Sequence, residues 1–104
     1  MRVFDGQTAD GSSIEFKNLT GTSGLVNIYV SGELGGGTVT VEAELPDSSG
    51  WVPVTGGTIT EPGLYVIDST YFVGRLTLSG SSGANINAWV EGGDVVLKTR
   101  VIGE

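Results

Sequence analysis

From Thr38 to Leu45 every odd-numbered residue (Val39, Val41, Ala43, Leu45) is apolar, and every even-numbered one is polar. A repeat of two sends successive side chains to opposite faces, so this stretch reads as a half-buried strand with Val39, Val41 and Ala43 pointing inward. The alternation returns at Val26-Asn27-Ile28-Tyr29-Val30 and at Ala84-Asn85-Ile86-Asn87-Ala88-Trp89-Val90, each bounded by glycines. Leu76 and Leu78 alternate with Arg75, Thr77 and Ser79, and Val95 to Ile102 reads as a final strand with Lys98 and Arg100 on one face. Adding Val3-Phe4, Ile14-Glu15-Phe16, Trp51 to Val54 and Leu64 to Ile67 gives about eight or nine short strands, with no helical period in any window. The expected fold is all-β, an antiparallel β-sandwich of jelly-roll or immunoglobulin-like Greek-key type, or else a barrel.

The punctuation agrees, since 18 of 104 residues are glycine. Pro46-Asp47-Ser48-Ser49-Gly50 predicts a hairpin between two extended runs, and Pro53, which has no N–H to donate, predicts an edge position for the second run. Gly35-Gly36-Gly37 and Ser79-Gly80-Ser81-Ser82-Gly83 read as further hairpin loops. Glu61-Pro62-Gly63-Leu64 fits a type II turn, and Tyr65 beyond it resembles the corner tyrosine of Greek-key sandwiches. A single domain spanning residues 1–104 is expected. Its first 24 residues are polar enough to form either an N-terminal arm or a pair of edge strands.

Several chemistries lack their residues. There is no cysteine and no histidine, which removes thiolate nucleophiles, Ser-His-Asp and Cys-His arrangements and the usual zinc ligands. Glu42 and Glu44 share an outward strand face, where solvated surface is expected rather than the two flanking carboxylates of a glycosidase. No loop alternates Asp and Asn as a calcium site would, and Asp5-Gly6, Asp10-Gly11 and Gly93-Asp94 read as turns. The chain is therefore expected not to be an enzyme and to carry no cofactor and no metal. Twelve acidic residues stand against five basic ones, and none of the basic residues falls between Lys17 and Arg75, which argues against nucleic-acid binding. No run reaches the roughly 18 apolar residues of a membrane helix, and the first residues carry no secretory signal pattern, so no membrane partner is expected.

Trp51, just after the hairpin loop, is expected to plug the core. Trp89 falls opposite the inward set Ala84, Ile86, Ala88 and Val90, so it shares its face with Asn85 and Asn87. These three are the candidate partner-binding residues, with Trp89 either an exposed contact anchor or a side chain packed within the domain. A carbohydrate-binding sandwich stacking sugar on Trp89 or Trp51 is an alternative reading.

Gly37-Thr38-Val39-Thr40-Val41-Glu42-Ala43, then Pro46 to Val54 with Trp51-Val52-Pro53-Val54, then Gly63-Leu64-Tyr65, then Arg75-Leu76-Thr77-Leu78-Ser79-Gly80 follow one another in an order that resembles small virion proteins of tailed bacteriophages. The resemblance covers residues about 24 to 91. It implies a virion structural component, with a capsid decoration or cement protein fitting a free-standing domain of this length and a neck, tail or fibre module as the alternative. It further implies the major capsid protein as partner, a homo-oligomer (dimer or trimer), and a place on the outer capsid surface after synthesis in the host bacterial cytoplasm.

Overall fold

The computed structural model describes residues 1–18, 24–69, 72–92 and 95–97. Ten strands follow one another: β1 (Arg2–Gln7), β2 (Gly11–Ser12), β3 (Phe16–Asn18), β4 (Gly24–Glu33), β5 (Thr38–Glu44), β6 (Trp51–Ile59), β7 (Gly63–Ser69), β8 (Phe72–Ser79), β9 (Asn85–Glu91) and β10 (Val95–Leu97). They form two antiparallel sheets, one in the order β1-β9-β4-β7 and the other in the order β10-β3-β8-β5-β6, with β2 also on β8. The protein is a β-sandwich.

The alternating residues explain the packing. Val26, Ile28 and Val30 of β4 and Ile86, Ala88 and Val90 of β9 meet Val39 and Val41 of β5 and Leu76 and Leu78 of β8 in one core. Ala43, near the end of its strand, is only half-buried. The core also takes Phe4 of β1, 2% exposed, and Phe16 of β3, fully buried, with the Phe72 ring standing edge-on to Phe16 at 5.9 Å. Each such side chain contributes about 1.5–3 kcal/mol by leaving water. Residues 1–18 are consequently built into the sandwich: β1 is an edge strand on β9, and β3 lies between β10 and β8. The arm alternative fails for these residues because an arm could not bury two phenylalanines; residues 19–23 lie outside the described residues, as does the expected continuation of the last strand beyond Leu97.

The β5–β6 hairpin forms as expected, closed by Leu45 N donating to Gly50 O at 2.8 Å and by Asp47, whose carboxylate accepts from Ser49 N at 3.0 Å. Pro53 lies on β6, an edge strand. Two other expectations are corrected. Residues 34–37 and 80–84 are arches rather than hairpin loops, because each joins strands of different sheets: β4 pairs with β7 and β9 while β5 pairs with β6 and β8, and the chain likewise changes sheet between β8 and β9. An arch must fill the gap it spans, and buried Leu34 and Ala84 do so. The two arches touch through Ser82 N donating to Gly35 O at 2.9 Å. The segment at 61–64 is also not a type II turn, since Gly63 has φ 156° rather than the ~80° that turn needs. The Tyr65 hydroxyl instead donates to the Glu61 carbonyl at 2.8 Å, tying the crossing from β6 to β7 as a corner tyrosine does.

Asp10 clamps the second arch by accepting from Gly80 N (3.0 Å), Ser81 N (3.0 Å) and the Ser81 hydroxyl (2.6 Å). The Ser81 hydroxyl, followed by its amide, holds the Asp10 carboxyl below its ordinary value. At Glu42 desolvation pushes the carboxyl up, but hydrogen bonds from Thr77 and Arg75 and the charge of Arg75 together outweigh it and the net shift is downward. Groups whose pKa is lower in the folded state stabilise it fully above their unfolded value and lose that effect as pH falls through the folded one. The melting temperature should therefore be level from neutrality to about pH 5 and fall below about pH 4. Asp10→Asn should fall less steeply, as read by circular dichroism melts across that range; equal slopes for parent and variant would refute the clamp.

Candidate functional site

The two outward sheet faces differ in kind. On the face of β5 and β8 the polar groups are mutually satisfied: Arg75 Nε donates to Glu42 at 2.8 Å, the Thr77 hydroxyl donates to the same oxygen at 2.7 Å, and Ser12 and Thr77 hydroxyls meet at 3.0 Å. Glu42 is thus half-buried in an ion pair instead of freely solvated. Trp51 also belongs to this face, a correction to its expected core position. It stands directly opposite Glu44, whose outward direction it must share, and the Arg75 guanidinium covers its ring at 4.2 Å.

On the other sheet, antiparallel register aligns Arg2, Trp89, Tyr29 and Leu64 in one row across β1, β9, β4 and β7. Glu91, Asn27 and Val66 form the adjacent row, with Leu25 and Asp68 beyond it. The β4/β7 half of this face is apolar and open: Leu25 is 59% exposed, Leu64 and Val66 54% each, and Tyr29 41%. A shallow hollow runs past Tyr29, Ser31, Gly63 and Trp89.

Asn85, Asn87 and Trp89 do lie together on this outward face, and their surroundings give Asn87 and Trp89 local duties. The Asn87 carboxamide oxygen accepts from Arg2 at 2.8 Å and from Gly6 N at 2.9 Å, holding down β1 where its pairing with β9 shifts register. Trp89 is half-buried, with the Arg2 guanidinium 5.0 Å from its ring centroid and Arg2 further tethered to Asp5 at 3.4 Å. Asn85 is exposed at the end of β9. Both tryptophans thus carry a guanidinium on a face that a sugar ring would need for stacking.

Sequence reasoning missed Leu25, Leu64 and Val66 as outward-facing residues. The signal was the unbroken run Leu64-Tyr65-Val66-Ile67: a strand with apolar residues on both faces either is covered on both or leaves one apolar face open. Here Ile67 and Tyr65 pack on the core, so Leu64 and Val66 turn outward. Pairing with β4 then sets them beside Tyr29 and Leu25.

Among the described residues, no group of three or more His, Cys, Asp and Glu is placed to hold a metal ion. The β4/β7 half-face is an exposed apolar area, and contiguous exposed apolar patches are the kind of surface that other surfaces bury. No family model matches the chain, and neither curated proteins nor solved structures give a match.

Proposed function

We propose that this chain is a structural protein of a tailed-bacteriophage virion, a capsid decoration or cement protein that docks on the outer surface of the major capsid protein shell and stabilises it. The observation that carries this reading is the open apolar half-face of Leu25, Tyr29, Leu64 and Val66, whereas Glu42, Arg75 and Thr77 satisfy one another on the outward face of β5 and β8. The resemblance of residues about 24 to 91 to small phage virion proteins supplies the class of partner. Binding only the assembled shell would stabilise it by mass action, and a dimer or trimer would multiply modest contacts through effective concentration.

The purified protein is expected to bind expanded, undecorated capsids saturably and to raise their resistance to heat. Leu25→Ser combined with Val66→Ser should weaken that binding at least about tenfold, because two partly exposed side chains lose an apolar burial of roughly 1.5–3 kcal/mol at most each. The melting temperature of the free protein should hardly change. Absence of saturable binding by the parent protein overturns the proposal. Labelled particles carrying the protein on tails instead of heads would move the assignment to a neck, tail or fibre module.

A further inference from the structure

A sandwich has open sheet edges, and among the described residues two of them are blunted: β6 carries Pro53 and a register shift against β5, and β1 is shifted twice against β9. The β7 edge is different. It pairs with β4 through seven consecutive residues, Gly63 to Ser69, without a shift, and contains neither proline nor lysine. Among the described strands it has β4 as its one sheet neighbour, so its other side presents a row of backbone donors and acceptors. A long, regular edge without proline or lysine is a template for a further strand, and natural sheets ordinarily blunt such edges.

We propose that β7 is a strand-docking edge that takes an extended segment of another protein, antiparallel or parallel, as a fifth strand of this sheet. The segment would alternate apolar residues with polar ones and carry Lys or Arg at its ends. The apolar requirement follows from Leu64 and Val66, both 54% exposed, which would flank the incoming side chains on the outward face, as pockets do in β-augmentation. The basic requirement follows from charge. β4 and β7 both come from the stretch between Lys17 and Arg75, which has no basic residue, and Glu61 stands two residues before the edge. A second copy would bring the same acidic edge against its own kind on a chain of net charge −7, whereas a basic-ended strand meets complementary charge. The inference stands apart from the proposed function, since it concerns which edge accepts a strand and not which particle the protein decorates.

The test uses the full chain and the capped heptapeptide Lys-Val-Thr-Val-Thr-Val-Lys at millimolar concentration, followed by amide NMR. Shifts and slowed exchange are expected at residues 63–69. A twin with both lysines replaced by glutamate should bind at least about fivefold more weakly at low salt and approach parity at high salt. Val66→Lys should weaken binding of the first peptide about tenfold, because a charge on the docking face is a device that guards edges, while Val52→Lys on the β6 edge should leave it within about twofold. Changes at β6 or β1 with none at 63–69, or equal binding of both peptides at low salt, overturn the inference. A dimer seen by sedimentation and abolished by Val66→Lys also overturns it, by giving the edge to a second copy. Peptide docking at 63–69 by a protein that binds no capsid would support the edge while refuting the decoration role.

Discussion

A chain from which residues 1–18 are removed is expected not to fold: no near-ultraviolet circular dichroism, no cooperative melt, and strong binding of a hydrophobic dye. The deletion takes away three strands and both Phe4 and Phe16. Truncating one buried phenylalanine costs about 3–5 kcal/mol, and small domains have about 5–15 kcal/mol in total, so the two rings alone approach the whole stability. Loss of β1 also frees the long edge of β9, and loss of β3 separates β10 from β8. Phe16→Ala alone should remain folded, with a melting transition lowered in proportion to its several kcal/mol. A cooperative transition in the truncated chain would show that the first 18 residues are an appendage after all.

Gly32→Ala should be the most damaging methyl group added to any of the described glycines. Gly32 has φ 96°, and a Cβ there would collide with the carbonyl oxygen of Asn85. That oxygen belongs to the backbone of β9, where Glu33 faces Asn85 and Gly32 faces Ile86. It cannot rotate aside, so the two central strands of the sheet must part. The cost should reach or exceed the upper end of the roughly 1–3 kcal/mol typical of overpacking, a drop in melting temperature of about 12 °C or more at 4–8 °C per kcal/mol. Gly36→Ala provides the contrast: its φ is 75° but a Cβ there meets nothing within 4 Å. It should lose only the roughly 1–2 kcal/mol of a left-handed backbone carrying a side chain. Equal melting temperatures for the two variants would refute the close approach of β4 and β9 at this point.

Much of this architecture was legible in the residues. Alternation gave the inward set correctly at Val39, Val41, Ile86 and Ala88, because period two is a property of the strand itself and needs no knowledge of neighbours. The Pro46 to Gly50 hairpin was legible for the same reason, its chemistry being local. Sheet membership was not. Gly35 to Gly37 has the composition of a hairpin loop, and only the pairing of β4 and β5 with other strands makes it an arch. Trp51 misled because a large aromatic after a turn looks like core, whereas its facing partner Glu44 fixes it outside. The candidate face was half legible: alternation set Asn85, Asn87 and Trp89 together, but the covering of Trp89 by Arg2 spans 87 positions of sequence, and the nearness of Leu64 to Tyr29 depends on register that composition does not encode.

The changes of sheet along the chain have a consequence for how it comes into being. β1 is made early, yet its hydrogen-bonding partner is β9, and β3 must wait for β8 and β10. Apart from the β5–β6 hairpin, no run of consecutive strands completes a sheet that could stand alone. Pairings so distant in sequence bring loop-closure entropy ahead of reward, which slows folding relative to chains rich in local contacts. A chain synthesised only as far as β8 can pair most of the larger sheet but still lacks β9, the strand that joins β1 to β4, so the four-stranded sheet cannot close until β9 arrives.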